Sequence, residues 1–537
     1  MLNLIKKIPF ITVFWAFFYF LIFCLLLRNG FSYLDPDLGW HLRVGETITR
    51  NLEVPSQNIY NYTYTGNWVD HEWLSNYIVF QIFDNLGYPT LVISFVLIII
   101  IVLILLNLAV SYLWREKGRS PPLVLIVIFQ LFGVIACLPH FGVRIQELAL
   151  LFVFLCLGII YFYEKNKNWR TLLILIPLFY LWACLHASFL IGFFILFAFA
   201  GLRIFEKLII CSKFNTKLSK YININNNLSY RQILIFILVS LGSFVATIFT
   251  PYHFKLYAFL SGYSDTLYQS YIQEWFSQFS FPFIYWQLFY LCIAAFALFV
   301  YFYFIKKDKI NLWDLFLFIV FFFLSFKSRR HFPLFFVVTF TFLIYIFGNY
   351  VKVGLASFKN FAIWLKIYLL FCIILTSVSL LLGVNFVRDP FNSRAYAKDY
   401  PLDALVFIGQ HHEYDELKIF NEYGWGGFMI YNNPNRKIFI DGRLPQVTYS
   451  GHSFLAEYLE FFKSEDKITQ KLNEYNIRIV LIKAKSPKIV AKKWEKFLFD
   501  IKDDELNQPN KLREYLSRAN DWSAIYNDNN AIIYLKK

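Results

Sequence analysis

Residues 8–50 read IPFITVFWAFFYFLIFCLLLRNGFSYLDPDLGWHLRVGETITR. An apolar run long enough to cross a bilayer is followed at once by Asp35, Asp37, His41 and Arg43. Ionisable side chains avoid hydrocarbon unless they have partners or a chemical task. The stretch therefore predicts a first membrane span that leads directly into a charged segment at the membrane surface.

The composition indicates an integral membrane protein. The chain of 537 residues is 58% hydrophobic and contains 64 Phe, and its mean hydropathy is +0.49. Soluble proteins are only about 45–50% apolar, so a soluble enzyme is excluded. The net charge of +15 would suit nucleic acid. However, many of the basic residues flank apolar runs, so we expect membrane lipids and no nucleic acid as partners of these charges.

Apolar runs predict a polytopic α-helical membrane protein with about eleven spans. A transmembrane domain is predicted for residues 1–384, with a first outer loop at 29–89. The candidate spans are 8–28, 90–113, 121–138, 145–163, 171–186, 187–205, 232–250, 284–305, 312–327, 332–348 and 361–384.

Basic residues recur in alternate short loops, and such loops are normally cytoplasmic. We therefore expect a protein of the cytoplasmic (inner) membrane with a cytoplasmic N-terminus and residues 385–537 outside. The first span is expected to be a retained anchor, with a cleaved signal peptide as the alternative. The loop residues are Lys6, Lys7, Arg115, Lys117, Arg119, Lys165, Lys167, Arg170, Lys207, Lys213, Lys217, Lys220, Arg231, Lys306, Lys307, Lys309, Lys352 and Lys359.

With this orientation, ionisable side chains from several separate segments fall on the outer side. Because these residues lie on the same side of the membrane, they favour a common functional site. The planar guanidinium of arginine in particular suits phosphate oxygens. Asp37 lies four residues before His41, on the same face of a predicted helix. The set comprises Asp35, Asp37, His41, Arg43, Asp70, His71, Glu72, His140, Arg144, His186, Glu274 with Trp275, Arg329, Arg330 and His331.

Each of these residues also has a structural interpretation. Asp35 before Pro36 is typical of a helix N-cap followed by proline at the first helical position. Arg329 and Arg330 are candidates for interface anchors. For Arg144 the alternative is an ion pair with Glu147, and for His186 it is a hydrogen bond within the bundle. For Asp70, His71 and Glu72 the alternative to metal ligation is the capped start of a helix at Trp73.

The seven cysteines indicate neither a disulfide framework nor a thiolate zinc site. Six lie in apolar runs, Cys211 lies in a basic loop, and none lies in residues 385–537. No CxxC spacing occurs in the chain.

Residues 385–537 are charged and mixed in pattern, which predicts an extracytoplasmic α/β domain. Tyr423 and Trp425 lie in an aromatic, glycine-rich segment at 420–427, and Asp441-Gly442-Arg443 follows it. We interpret the latter either as a turn that ends a strand or as a lip that contacts an acceptor. The predicted strands are Lys418–Phe420, Lys437–Ile440, Ile477–Ile482 and Ala531–Leu535, and the predicted helices are Tyr449–Tyr475 and Lys488–Phe499.

These motifs resemble those of GT-C fold glycosyltransferases, and most nearly those of the catalytic subunit of oligosaccharyltransferases. The run Asp37, His41, Leu42 and Arg43, with Tyr60 and Gly66 later, resembles the family's first outer loop, although Leu38 stands where the family usually has proline. Gln273-Glu274-Trp275 resembles its late outer-loop glutamate. Asn421-Glu422-Tyr423-Gly424 is similar to its Trp-Trp-Asp-Tyr-Gly motif but lacks the two tryptophans.

The resemblance implies an inverting glycosyltransferase that takes sugar from a polyprenyl-phosphate carrier at the outer leaflet. The acceptor class stays open among saccharide, protein and lipid. Asp37, with Asp35 beside it, would act as general base or as a ligand of Mg²⁺ or Mn²⁺ together with Glu274. Arg329, Arg330 and Arg144 would bind the donor phosphate. The implied pocket or acceptor residues are His41, Arg43, Asp70, His71, Glu72, His186, Trp275, Tyr423 and Trp425.

Two other functions remain open at this point. A transporter or flippase of a lipid-linked saccharide would also use outer arginines and a cavity. A purely structural membrane protein that displays its C-terminal domain would leave the clustered outer acids and arginines unexplained.

Overall fold

The computed structural model describes residues 9–210, 222–223, 228–262, 266–304, 309–350, 363–444, 447–449, 452–486, 489–502, 506 and 509–537. The predicted loop residues Lys6, Lys7, Cys211, Lys213, Lys217, Lys220, Lys306, Lys307, Lys352 and Lys359 lie outside these ranges.

Within the described ranges, eight helices are long and apolar enough to cross a membrane. Three of the predicted spans fall on shorter helices, Trp169–Leu185, Tyr285–Tyr301 and Leu312–Lys327. The predicted class, a polytopic α-helical membrane protein, is confirmed. The eight are Phe10–Ser32, Trp73–Glu116, Leu123–His140, Ile145–Asn166, Phe189–Ile210, Tyr230–Ile248, Arg329–Asn349 and Ile363–Leu382.

The chain divides into two compact units that differ from a simple split at residue 385. The first unit comprises Met1–Ser32, Val92–His253 and Gln273–Phe386. The second unit comprises Tyr33–Leu91, Phe254–Ile272 and Val387–Lys537. The long segment after the first span therefore folds with the C-terminal residues.

Gly87 marks the point where the helical segment Trp73–Glu116 changes direction. Its φ of 81° and ψ of 171° interrupt the helix, and Pro89 follows. This backbone region is open to glycine and strained for other residues. The residues before the kink belong to the second unit, and the apolar span after it begins close to the boundary at Leu91.

A buried ion cluster links two helices of the first unit. The Arg203 guanidinium lies 2.6 Å from Glu206 and 2.7 Å from Glu164, and Arg203 is buried. Charges removed from water destabilise a protein by several kcal/mol unless they are paired. The cluster therefore fixes the helix Phe189–Ile210 against the helix Leu148–Asn166.

The second unit is built on a mixed four-stranded sheet. In spatial order the strands are Ile419–Asn421, Ile479–Lys483, Ala531–Lys536 and Trp522–Asn527. The first pair is parallel and the other two pairs are antiparallel. Three helices supply buried apolar side chains to the same core, namely Phe454–Glu460, Glu465–Glu474 and Lys511–Arg518.

This unit also contains other short helices. They are Leu38–Asn51, Phe254–Ser261, Thr266–Tyr271, Leu402–Gly409, Gly426–Asn432 and Lys493–Phe499. Two-stranded pairs join Thr448–Tyr449 to His452–Ser453 here, and Ile222–Asn223 to Ile310–Asn311 in the first unit.

Two predictions for the C-terminal domain need correction. The predicted helix Tyr449–Tyr475 is two helices, because Ser453 and Ser464 each cap a separate helical start. Residues 450–451 of that prediction, and Lys488 of the predicted helix Lys488–Phe499, lie outside the described ranges. The strand Trp522–Asn527 was not predicted.

The prediction that Lys437–Ile440 is a strand is wrong. This segment does not pair with the main sheet, because its backbone bonds to a side chain and to the loop after the first span. The Asn421 side chain accepts hydrogen bonds from the Phe439 and Ile440 amides, at 2.9 and 3.3 Å. Ile438 instead exchanges backbone hydrogen bonds with Tyr60 and Tyr62 of the loop after the first span. The segment therefore ties this loop to the sheet domain within the second unit.

A seam of glycines brings the helix Leu38–Asn51 against the helix Gly426–Asn432. A Cβ atom at Gly39 would overlap the Gly427 carbonyl, and one at Gly427 would overlap the Pro36 carbonyl. Both neighbours are backbone atoms that cannot rotate away. Direct backbone approach at this seam therefore requires glycine.

We predict that Gly427→Ala destabilises the second unit by roughly 1–3 kcal/mol, since an added methyl in a closed contact forces backbone shifts. The measurement is the melting temperature of the full chain in detergent, together with the rate of limited proteolysis of residues 387–537.

Gly424→Ala is the matched control, because a Cβ at Gly424 meets nothing within 4 Å. Equal melting temperatures for the two variants would contradict the seam.

Candidate active site

Asp37 stands at the start of the helix Leu38–Asn51, as its N-cap residue. The prediction that Asp35 is the N-cap and Pro36 the first helical residue is wrong. Asp35 instead accepts a hydrogen bond from the Asp37 amide at 2.9 Å, which forms the turn before the helix. The helix dipole stabilises negative charge at the position of Asp37.

The Asp37 carboxylate is held by two groups of the second unit. Its Oδ1 accepts a hydrogen bond from Trp40 Nε1 at 2.9 Å. On another side it rests against Gly442, where an added Cβ would overlap Oδ1 and lie 2.9 Å from Cγ. Asp37 is only partly buried. A carboxylate that is fixed and accessible can accept a proton or bind a cation.

Gly442 is itself fixed by the buried pair Asp441 and Arg443. The two side chains form hydrogen bonds of 2.8 Å, and Asp441 also accepts from the Arg443 amide at 2.9 Å. Arg443 Nη2 donates to Asn61 at 3.0 Å and to Asn58 at 3.2 Å. Because both side chains of the pair are buried, Asp441 and Arg443 act inside the protein and do not form an exposed lip.

Aromatic rings enclose the Arg443 guanidinium. It lies 4.9 Å from the ring centroids of Tyr60 and Trp68 and 5.9 Å from that of Trp40. Cation–π contacts strengthen when the cation is desolvated. Trp40 therefore contacts both Arg443 and Asp37, which couples the buried arginine to the position of the carboxylate. Sequence reasoning did not assign this role to Arg443 or Trp40.

A second polar network lies behind the same helix. His41 Nδ1 is 2.5 Å from Asn76 Oδ1, and Asn76 Nδ2 donates to both oxygens of Asp70 at 2.9 and 2.8 Å. Glu72 lies 3.9 Å from His41 and 3.3 Å from His71. Asn76, which was not predicted, thus joins His41 to Asp70, and Glu72 lies between His41 and His71.

Burial sets the protonation of this network. It raises the pKa of Asp70 to about 6, although hydrogen bonds from Asn76 and the charge of His71 oppose the shift. Burial also lowers the pKa of His41, against the attraction of Glu72. His41 is therefore mainly neutral near pH 7 and can exchange a hydrogen bond with Asn76. Asp70 also accepts a hydrogen bond from the Glu72 amide at 3.2 Å, and the helix begins at Trp73 as predicted.

Arg43, in the middle of the helix Leu38–Asn51, makes packing contacts. Its guanidinium donates to the Tyr431 carbonyl at 3.0 Å, lies 4.7 Å from the Tyr431 ring centroid, and pairs with Glu46 at 2.6 Å. These contacts join the helix Leu38–Asn51 to the helix Gly426–Asn432. The predicted pocket role of Arg43 stays a prediction.

Of the two predicted aromatic residues in the 420–427 segment, Trp425 is buried and donates from Nε1 to the Asp399 carbonyl at 2.9 Å. Tyr423 is only partly buried, and its ring lies 6.4 Å from that of Tyr271. Beside Tyr423, burial raises the pKa of Glu422, whose carboxyl accepts from Tyr458 at 3.4 Å. Tyr271 and Tyr458 were not predicted, because only the fold brings them to the 422–423 segment.

The first unit contains a separate charged cluster centred on Glu274. Its carboxylate pairs with Arg144 and lies 3.7 Å from Arg330. Burial alone would raise the pKa of Glu274, but the two guanidiniums outweigh it and lower the pKa to about 2. Glu147 accepts a hydrogen bond from the Gly142 amide at 2.6 Å, and the alternative that pairs Arg144 with Glu147 stays a prediction.

The two adjacent arginines of this cluster differ in environment. Arg329 is buried, its amide donates to the Phe276 carbonyl at 3.0 Å, and its side chain donates to the Ser280 carbonyl. The Arg330 side chain keeps 27% of its surface exposed and lies 5.2 Å from the Trp275 ring centroid. Arg330 is therefore the better placed of the two to bind a ligand from solution.

His186 lies in the turn between the helices Leu175–Leu185 and Phe189–Ile210. Its Nδ1 accepts a hydrogen bond from the Ser188 amide at 3.0 Å, and Ser188 accepts from Trp182 at 2.8 Å. This is the hydrogen bond within the bundle that was the structural alternative for His186. A pocket role for it stays a prediction.

The predicted metal ligands differ in their fit to a divalent cation. Among the described residues, no group of three or more His, Cys, Asp or Glu side chains is arranged as a metal site. Glu274 fits poorly, since two arginines already neutralise its carboxylate. Asp37 and the adjacent Asp35 fit better, because Mg²⁺ typically uses one or two carboxylates and completes its shell with water and substrate phosphates.

We predict that replacing Asp70 with Asn changes how stability depends on pH. Well below pH 3.8 the Asp70 carboxyl is neutral in both the folded and unfolded chains. As the pH rises through the folded pKa of about 6, burial of the charged form costs the folded chain about 3 kcal/mol relative to its ordinary pKa of 3.8. The melting temperature of the wild type should therefore fall relative to Asp70→Asn between about pH 4 and pH 7.

Asp403→Asn, at an exposed carboxyl, is the control for changes in overall charge. A difference between wild type and Asp70→Asn that stays constant over this pH range would contradict the buried, raised pKa.

No protein-family model and no curated protein matches the chain. Solved structures of the oligosaccharyltransferase from Archaeoglobus fulgidus do match it, each at 11% identity. The structure tethered to an acceptor peptide with the NVT sequon covers 98% of this chain and 74% of its own, with a TM-score of 0.53. The structure with an inhibitory peptide and a dolichol-phosphate covers 98% and 75%, with a TM-score of 0.50.

A third structure of that enzyme, in complex with zinc and sulfate, covers 96% of this chain and 73% of its own, with a TM-score of 0.50. At this low identity the similarity establishes the fold and leaves the activity to be tested. The GT-C fold that the sequence motifs predicted is confirmed.

Proposed function

We propose that the protein is a membrane glycosyltransferase that moves a sugar from a polyprenyl-phosphate carrier to an acceptor, with Asp37 as the catalytic base. The observation that carries the proposal is the position of Asp37. Its side chain is only partly buried, lies at a helix N-terminus, and is held by Trp40 and Gly442. The structural neighbours support a lipid-linked donor, since one contains an acceptor peptide and another a dolichol-phosphate.

The proposed step is an inverting displacement at the anomeric carbon of the donor sugar. The acceptor oxygen attacks this carbon and forms the new glycosidic bond. The bond between the carbon and the phosphate oxygen breaks, and its electron pair leaves with the polyprenyl phosphate. Asp37 takes the proton of the acceptor group. General base catalysis of this kind typically contributes about 10²–10⁴-fold.

The leaving phosphate gains negative charge, and we assign its neutralisation to Arg144 and Arg330. Both guanidiniums are partly buried, where their attraction to phosphate is stronger than in water. Glu274 lies between the two arginines and keeps them oriented in the absence of a donor. Arg329 acts through the backbone, because its side chain holds the 276–280 segment.

A divalent cation at Asp37 and Asp35 would add charge neutralisation at the donor phosphate. Residues of the chain itself position Asp37 and the helix that carries it. Asp35 holds the turn that presents Asp37, and the neutral His41 with Asn76 and Asp70 fixes the helix behind it.

The proposal places residues 29–89 and 385–537 on the extracytoplasmic side of the inner membrane, with the N-terminus in the cytoplasm. The distribution of lysine and arginine in the loops supports this orientation. An enzyme that receives lipid-linked sugars at the outer leaflet would need its acceptor-handling domain there. The division into a transmembrane domain at 1–384 and an outer domain at 385–537 belongs to the same proposal.

We predict that Asp37→Asn lowers sugar transfer by at least about 10²-fold, since the amide cannot accept the acceptor proton. The measurement uses purified full-length protein in lipid nanodiscs with polyprenyl-phosphate carrying a labelled sugar. Release of free polyprenyl phosphate is followed over time. The melting temperature should stay at the wild-type value, because the amide oxygen can still accept from Trp40.

Asp403→Asn is the matched control, a carboxyl on the exposed face of the same unit. Full activity in Asp37→Asn would remove Asp37 from the mechanism. If the wild type moves intact lipid between leaflets of a vesicle without releasing polyprenyl phosphate, the protein is a transporter and the transferase proposal is wrong.

A further inference from the structure

The exposed apolar side chains of the C-terminal residues are concentrated in one segment. Of the six large exposed hydrophobic residues in the described part of 387–537, five lie between 490 and 499. The sixth is Val406, on a separate helix. The five are Val490, Trp494, Phe497, Leu498 and Phe499, and Phe497 keeps 87% of its surface exposed.

The same segment is strongly basic. Residues 483–502 contain seven lysines and only two acids, Glu495 and Asp500. Glu495 is buried and accepts a hydrogen bond from the Lys492 amide, so its charge is turned toward the start of the helix Lys493–Phe499. The lysines are 483, 485, 488, 492, 493, 496 and 502, of which Lys488 lies outside the described ranges.

The helix Lys493–Phe499 is attached to the domain along one side only. Ala491 and Glu495, four residues apart, are both buried. Trp494, Phe497 and Leu498 lie on the other side and keep 46%, 87% and 63% of their surfaces exposed. Positions three and four residues apart share a helix face, so these three side chains form one continuous apolar surface.

We propose that this segment, residues 489–499, is a docking surface for the bilayer, where its apolar side chains enter the interface and its lysines bind anionic phospholipid headgroups. Aromatic side chains with lysines beside them are the composition of helices that lie in the plane of a membrane. Each lysine near an anionic surface adds to this attraction, and Trp and Lys favour the headgroup level.

The chain itself supplies the reason to choose a membrane as the partner. Its apolar spans predict that the chain is anchored in a bilayer, so a membrane is available as a partner, and a continuous exposed apolar surface indicates an interaction site. The basic charge fits an anionic lipid surface better than an uncharged one. The proposal does not depend on the glycosyltransferase activity.

The test uses the full-length protein in nanodiscs with an environment-sensitive fluorophore attached at Phe497→Cys, in a background whose seven native cysteines are replaced. Spin-labelled lipids serve as the quencher. In nanodiscs that contain phosphatidylglycerol, the label should emit at shorter wavelength and be quenched several-fold more strongly than a label at Val406→Cys. Val406 is the matched control because it is exposed in the same unit but has no basic apolar segment around it.

Adding Lys485→Glu and Lys493→Glu to the labelled variant should return the quenching at position 497 to the level of the control. Nanodiscs of phosphatidylcholine alone should give weaker quenching than the anionic ones. If the label at 497 stays in water in both lipid compositions, the proposal is overturned and the surface is left for a protein partner. Equal quenching at 497 and 406 would also overturn it.

Discussion

Direct backbone contact at a few glycines is the constraint on which the second unit depends. The turn Asp35–Gly39 meets the backbone of Gly427 directly, and the Asp37 side chain lies against Gly442. That approach puts a carboxylate, Asp37, against the peptide backbone of a segment four hundred residues later in the chain. The buried Arg443 then anchors this segment, because it donates to Asn58 and Asn61 of the loop after the first span, and moving it away would leave a buried charge with fewer partners.

The two units contain two kinds of charged site. In the second unit the network is acidic and built on hydrogen bonds, with His41, Asn76 and Asp70 behind the helix that presents Asp37. In the first unit arginines surround one glutamate, and the cluster is left with excess positive charge. An acid that accepts protons and a cationic group that stabilises phosphate are the two requirements of transfer from a lipid-linked phosphate donor.

Apolar runs predicted the membrane helices well, because a span must satisfy its own backbone and be apolar over about 20 residues. Asp37, Asp70 and Arg330 were found as ionisable groups beside such runs. The roles of Gly442, Arg443 and Asn76 were not predicted, since they depend on contacts between residues far apart in the sequence. The segment Lys437–Ile440 has the pattern of a strand, but the amides of Phe439 and Ile440 donate hydrogen bonds to the Asn421 side chain. No local feature of the sequence indicates that this side chain replaces a neighbouring strand.

We propose that the cationic cluster of the first unit binds the phosphate of a polyprenyl carrier. An experimental structure of the full-length protein in nanodiscs with saturating polyprenyl phosphate tests this proposal. We expect phosphate density within hydrogen-bond distance of the Arg144 and Arg330 guanidiniums. If the lipid phosphate binds at another site while these arginines pair only with Glu274, the proposal is wrong.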